Sequence, residues 1–218
     1  MSTKSKISYD EFFIIESFLF TKSGGYSHLQ GHIDRMCKSA NYFGFDFNRA
    51  KIEESINNYA TNLSHYDKYK VRFVLDERGK YTIENEPVEE DDSPKRILLS
   101  QHQTSANNIF YYHKTTKRTV YNAEFQKHCH DGKYFDVIFT NKNNELTEGT
   151  RTNLFVQKNG ILYTPPIHCG LLKGIMRQHI IDTKNVREKI LKLENLVTAD
   201  KIFLTNSVRG MIEVIPAG

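Results

Sequence analysis

Lys114 stands in the run His113-Lys114-Thr115-Thr116, and Glu148 opens the run EGTRTNLF at 148–155. A lysine amine with a lowered pKa condenses with aldehydes and carries protons at neutral pH. A carboxylate beside a pyridine nitrogen keeps it protonated and turns the ring into an electron sink. Pyridoxal chemistry asks a protein for both groups. Taken singly, each residue also reads as an ordinary surface lysine or a turn glutamate. The words around them favour the chemical reading. A strand leaving a tight turn at Gly149 would present the Glu148 carboxylate to a ring edge. The hydroxyls of Thr150 and Thr152 and the amide of Asn153 would be hydrogen-bond donors nearby.

A phosphate-bearing cofactor also needs an anion hole. The run CGLLKGIMRQ (169–178) places Gly170 and Gly174 at a helix start, where free N–H groups and the helix dipole attract anions. A plain helix N-terminus is the alternative there. Arg35, in HIDRM, offers a bidentate guanidinium or is a helix-surface arginine. Ser207, in the loop Thr205-Asn206-Ser207, offers a hydroxyl or is a turn residue. Arg209 has the fork that matches a substrate carboxylate, against the reading of an exposed loop arginine. His128-Cys129-His130 lacks further ligands at suitable spacing, so no metal is expected.

These groups need elements to hold them. EFFIIESFLF (11–20) reads as a strand, and Tyr26 to Leu29 pairs back on it after Gly24-Gly25. Ile33, Met36, Cys37 and Ala40 recur at helical spacing in 32–45, with Gly44 as terminator. A second helix covers about 48–62, and 71–75 and 80–84 form strands around Gly79. NEPVEEDDSPK (85–95) is the best linker, although an acidic surface loop is nearly as good a reading. Strands follow at 96–101 and, leading into Lys114, at 109–114, then a helix at 117–132. Further strands are expected at 136–141, 152–157 and 161–164, the last two joined through Asn159-Gly160. Helices at 173–182 and 194–201 precede a strand-loop-strand over 202–216. The sum is an α+β fold with mainly antiparallel sheets and helices packed outside, with a mainly parallel α/β arrangement as the alternative. Residues 1–95 would form a small N-terminal domain and 96–218 a larger one carrying Lys114.

The 218 residues hold 39% hydrophobic and 26% charged side chains, which suits a globular protein. The net charge of +4 comes with no basic block, so no nucleic-acid arm is expected. The apolar stretch 11–20 is too short for a bilayer and contains Glu11 and Glu16. Without a secretory leader before it, a cytoplasmic protein with no membrane association is expected. Cys37, Cys129 and Cys169 are an odd, scattered set, against a disulfide framework. No Gly-rich dinucleotide or P-loop motif occurs.

The ordered series Glu148, Asn153-Leu154-Phe155, Thr164, Leu172-x-Gly174-Ile175-x-Arg177 resembles the signature of the fold-type IV, class IV aminotransferase-like enzymes, and the spacing from Lys114 agrees. Within that family, FFIIESF, HIDRMCKSANYFGFDF, HKTTKRTVYNA, TPPIHCGLLKGIMR and TNSVRG are most similar to the aminodeoxychorismate lyase branch, notably the form fused behind a synthase. The resemblance implies a two-domain D-amino acid aminotransferase-like fold, a homodimer, functional coupling to aminodeoxychorismate synthase, and pyridoxal 5'-phosphate in the cleft between domains. It makes Lys114 the Schiff-base lysine and Glu148 the partner of the pyridine nitrogen, with Asn153 beside it. Arg35, Ser207 and the amides of Ile175 and Met176 would hold the phosphate. Thr152 and Arg209 would face a small-molecule substrate. The implied reaction turns 4-amino-4-deoxychorismate into 4-aminobenzoate and pyruvate; alternatives are an aminotransferase for branched-chain or D-amino acids, or a non-catalytic module on the same scaffold. Free-standing members usually carry an extra strand and a Gly-rich turn before FFIIESF; a shorter start here would alter the dimer contact or the substrate entrance.

Overall fold

A computed structural model describes residues 11–89, 91 and 93–217. The place of the family's extra N-terminal strand therefore lies outside the described residues. The first sheet is built from β1 (Ile14–Thr21), β2 (Gly25–Tyr26), β3 (Lys68–Leu75) and β4 (Tyr81–Pro87) in the antiparallel order β2-β1-β3-β4. Between them run α1 (Leu29–Phe43) and α2 (Arg49–Tyr59). Gly44 adopts φ 76 and closes α1 by donating its N–H to Ala40 O, a left-handed stop that suits glycine. Asn48 caps α2 by accepting from the Lys51 N–H at 3.0 Å. Met36, Ala40, Ile52 and Ile56 bury their apolar faces against Phe18, Val71, Phe73 and Leu75. The period of two along β3 buries Tyr69, Val71, Phe73 and Leu75, which sends Lys70 and Arg72 to the opposite face. On β1 the core-side alternation includes a fully buried Glu16 between Ile14 and Phe18.

The second sheet takes β5 (Lys95–Thr104), β6 (Asp136–Asn141), β7 (Leu146–Gly149), β8 (Asn153–Lys158), β9 (Ile161–Thr164), β10 (Val186–Glu188), β11 (Lys201–Asn206) and β12 (Gly210–Pro216). Its order is β10-β9-β8-β11-β12-β5-β6-β7, and β7 also pairs back onto β8 through Glu148 and Asn153. Strands β8, β11, β12, β5, β6 and β7 thus close into a ring. Ile138, Leu146, Leu154, Ile202, Leu204 and Val214 share one core cluster. Among the described residues three helices accompany this sheet: α3 (Thr119–His128) along β6, α4 (Ile175–Thr183) along β11, and the short α5 (Leu193–Val197). Most pairings are antiparallel, but β5 with β6, β12 with β5 and β10 with β9 run parallel. Parallel neighbours need a long crossover. The β5–β6 crossover is the segment that carries Lys114 and α3.

The fold is α+β, as read from the sequence, with several local differences. The proposed linker is shorter than 85–95. Asn85, Glu86 and Pro87 belong to β4, facing Val71, Lys70 and Tyr69, and Lys95 already begins β5. Leu29 opens α1 and does not pair back on β1. Residues 109–114 are not a strand: Asn108 caps a 3-10 turn at Ile109–Tyr111 by accepting the Phe110 N–H. The helix expected at 117–132 stops at His128, and Gly132 takes φ 77 in the turn beyond. The expected helix 194–201 ends at Val197 because Lys201 is recruited into β11 against Gln157. Among the described residues no helix is long and apolar enough to cross a membrane.

Candidate active site

Lys114 is fixed by its backbone. The Ile15 N–H donates to Lys114 O at 2.9 Å, the Thr116 N–H to Phe13 O at 2.9 Å, and the Phe13 N–H to Thr116 Oγ1 at 2.9 Å. The crossover is thereby clamped to the edge of β1 just before α3 begins. Burial lowers the Lys114 amine to about 7, helped by the charges of Arg118 and Arg35 and opposed by Glu16 and Glu148. A substantial share of this amine is thus neutral and nucleophilic near pH 7.

Glu148 stands next to last in β7, opposite Asn153 of β8. Its carboxyl accepts from the Tyr121 hydroxyl, from Asn153 Nδ2 and from the Leu172 N–H, each at 3.1 Å. Burial raises it to about 8 in spite of those donors and the nearby charges of Arg118 and Lys114. Asn153 is therefore a direct partner of the carboxyl, as its place in the motif suggested. The threonines of EGTRTN are not. Thr150 Oγ1 and N–H, Thr152 Oγ1 and the Arg151 N–H all donate to the buried Asp136 carboxylate. Asp136 is what shapes the 149–152 turn, with Thr152 on the cavity wall but its hydroxyl committed elsewhere.

Two glycines make room for this arrangement. A Cβ on Gly149 would lie 2.5 Å from Asp136 Oδ2, and one on Gly174 would collide with Asn153 Oδ1. Gly174→Ala must push Asn153 off Glu148. We expect it to lower unfolding stability by about 1–3 kcal/mol, as overpacking does, with a matching fall in the urea midpoint. An unchanged midpoint would show that Asn153 is not pinned there.

At the other end of the cavity, Gly174 begins α4 without a side-chain cap. The first N–H groups of α4, Ile175 and Met176 among them, have no intrahelical acceptor. Arg35 reaches the same place: its Nη1 donates to Lys173 O at 3.2 Å. Its Nε and Nη2 donate to Glu16 at 2.8 and 2.6 Å, and His32 Nδ1 lies 2.7 Å from the same carboxylate. Burial would raise Glu16, but Arg35 and His32 outweigh it and hold the carboxyl at about 2. Ser207 is buried at the turn after β11, and the neighbouring Thr205 Oγ1 is buried without a hydrogen-bond partner among the described residues. An anion accepting from these donors would satisfy that orphan hydroxyl and the helix start together. The donor set fits a phosphate, and with Lys114 and Glu148 it fits pyridoxal phosphate.

All the residues singled out from the sequence — Arg35, Lys114, Glu148, Thr152, Asn153, Ile175, Met176, Ser207 and Arg209 — line one cavity of about 240 Å³ between the two sheets. Arg209 is at its exposed rim, with its N–H donating to Asn206 Oδ1 at 2.9 Å. Sequence reasoning missed Tyr121, Asp136, Glu16, Arg72 and Arg118. Glu16 had a signal, a carboxylate at a core position of an apolar strand. Tyr121 and Asp136 had none, since only the fold brings them to Glu148 and its turn.

The profile of the amino-transferase class IV family matches residues 14–215, and the chain belongs to that family. Its members are pyridoxal phosphate enzymes. The chain is 27% identical over 188 residues to a Schizosaccharomyces pombe protein named "Putative aminodeoxychorismate lyase", spanning 83% of this chain and 80% of that one. It is 37% identical over 86 residues to the branched-chain-amino-acid aminotransferase of Escherichia coli, which is 37% of this chain and 28% of that one. The solved structure of a "Putative amino-acid aminotransferase" from Mesorhizobium loti superposes with a TM-score of 0.87 at 27% identity, covering 94% of this chain and all of that one.

Proposed function

We propose that this chain is a pyridoxal phosphate-dependent 4-amino-4-deoxychorismate lyase that releases 4-aminobenzoate and pyruvate. One observation carries the reading: a lysine amine and a buried carboxyl share a cavity with a set of anion donors, and four further arginines stand on its wall beside the acids Glu86 and Asp136. Arg72, Arg118, Arg151 and Arg209 all line that cavity. A substrate with two carboxylates suits such a wall; a branched aliphatic side chain does not. The similarity to S. pombe over most of both chains agrees. The shorter match to the E. coli aminotransferase, at higher identity, supports the second reading, transamination of branched-chain or D-amino acids at the same site.

When bound, pyridoxal phosphate supplies an aldehyde for primary amines and a ring that draws electrons once its nitrogen is protonated. Arg35, Ser207 and the N–H groups of Ile175 and Met176 would hold its phosphate. Glu148 carries a proton near neutrality and would give it to the ring nitrogen. The carboxylate left behind keeps the donors Tyr121, Asn153 and Leu172 N–H. Lys114 Nζ would take the proton from the substrate carbon bearing the amino nitrogen. The ether C–O bond then breaks, the six-membered ring becomes aromatic, and the proton is returned to the enolpyruvyl methylene carbon to give pyruvate. No water enters this balance. The protein's share is positioning and proton transfer.

In this reading residues 1–95 and 96–218 are the two domains, the cavity between them is the cofactor cleft, and the enzyme works as a cytoplasmic homodimer beside a synthase that supplies its substrate. The test is an assay with enzymatically made aminodeoxychorismate. Stoichiometric 4-aminobenzoate and pyruvate are expected. Conversion of L-leucine or D-alanine to its keto acid, with neither product from aminodeoxychorismate, would select the second reading.

A further inference from the structure

Beside the main cavity a second pocket of about 330 Å³ opens between β3 and α3. Lys70, Arg72, Arg118 and Arg151 line both, so the two pockets share a cationic wall. Among the described residues that line the second pocket there are four cations and no carboxylate. Lys70 is partly neutralised by Glu86 at 2.8 Å. Arg118 donates to the Thr150 carbonyl, but its Nε is buried without an acceptor among the described residues. Arg151 Cζ stands over the Phe125 ring, 3.6 Å from its centroid, which holds its guanidinium at the pocket wall. Arg72 projects from the non-core face of β3. The acids near Arg118 are Glu148 and Asp136, each engaged by its own donors. Gathering several guanidiniums around an unfilled, half-enclosed space is unfavourable unless an anion completes it. None of the phosphate donors Arg35, Ile175, Met176 or Ser207 borders this pocket, so the cofactor's phosphate is not that anion.

We propose that the side pocket is a carboxylate subsite: it takes one carboxylate of a cyclic dicarboxylate substrate, and Arg72 and Arg151 decide the choice of that class over monocarboxylate amino acids. The proposal rests on the main cavity being the pyridoxal phosphate site. It deepens the lyase reading by naming the residues that would read the second negative charge. Guanidinium forks match carboxylates bidentately, and several aimed at one space bind a planar anion with orientation as well as charge.

The experiment uses the holoenzyme and isophthalate as probe, with benzoate as the one-carboxylate control, by titration calorimetry. Wild type should bind isophthalate at least about tenfold more tightly than benzoate, with a steep loss in salt. Arg72→Gln and Arg151→Gln should each remove most of that preference, and Arg72→Lys should keep part of it. With aminodeoxychorismate, the Gln variants should raise KM about tenfold or more while kcat moves less than about threefold. Borohydride labelling of Lys114 reads the cofactor site separately. Labelled, active variants with wild-type KM and wild-type isophthalate preference would overturn the subsite. An unlabelled Lys114 with an Arg72-dependent isophthalate preference would leave the subsite standing and bring down the cofactor reading.

Discussion

Lys114→Ala is expected to lower turnover of aminodeoxychorismate by roughly 10²–10⁴-fold, the range over which a positioned proton-transfer group accelerates reactions, and toward its upper end. The loss is large because one amine has two tasks, anchoring the cofactor aldehyde and moving the substrate proton. Both need a free lone pair near neutral pH. The amine's descent to about 7 supplies it, through burial first and then the charges of Arg118 and Arg35. Lys114→Arg should fail as badly, since a guanidinium stays protonated. Methylamine added to the Ala variant should restore part of the rate. The same variant should retain cofactor through the phosphate end but give no borohydride-fixed label. A variant with wild-type turnover, or wild-type protein labelled on another lysine, would end the assignment of Lys114.

The reasons why some of this site was legible in the sequence are local. Glu148, Asn153, Gly174 and the α4 start lie in short words whose spacing sets their geometry: β7 turns at Gly149 onto β8, and Asn153 lands beside Glu148 with its Oδ1 against Gly174. Arg35 was legible because α1 is a regular helix and its register fixes the residue relative to the buried Ile33 and Met36. What could not be read depends on closure over long separations. Asp136 organises the EGTRTN turn only because β6 lies beside β7. Tyr121 meets Glu148 only because α3 packs on β6. Arg72 reaches the side pocket because β3 pairs along β1 with Ser17 opposite it. The stretch 109–114 misled for a related reason: its run of Ile, Phe and Tyr has strand composition, but Asn108 turns the chain and the pairing with β1 reduces to a single bridge at Thr115. Composition described a surface that packs, and the neighbours decided how.

Glu148→Gln should cost about 10²-fold or more in turnover, since a neutral amide cannot donate a full charge to the ring nitrogen. In the cofactor-free protein it should nevertheless be stabilising, and the pH dependence tells why. The Glu148 carboxyl titrates near 4.5 when unfolded and is raised to about 8 when folded. A raised folded pKa means stability present below the unfolded value and lost as pH climbs through the folded one. Lys114 runs the other way: with its pKa lowered from 10.5 to about 7, its contribution is present above 10.5 and lost as pH falls through 7. The two losses overlap between pH 7 and 8, where the empty site is least stable. The Glu148→Gln substitution removes the first loss and leaves the second. The gain of the variant over wild type should be near zero at pH 4.5 and grow to a few kcal/mol by pH 8, at about 1.4 kcal/mol per pH unit at most. The amide can keep the local geometry, its oxygen accepting from Asn153 and Leu172 and its nitrogen donating to Tyr121, whose hydroxyl works in either direction. Glu16, held at about 2, contributes equally to both proteins and cancels. Urea unfolding of cofactor-stripped wild type and variant at about pH 5, 6, 7 and 8 measures the difference directly. A variant that is less stable at pH 8, or a difference flat in pH, would mean that the carboxyl is already ionised in the empty site. The burial that sets it up to charge a pyridine ring would then have to be abandoned as the explanation.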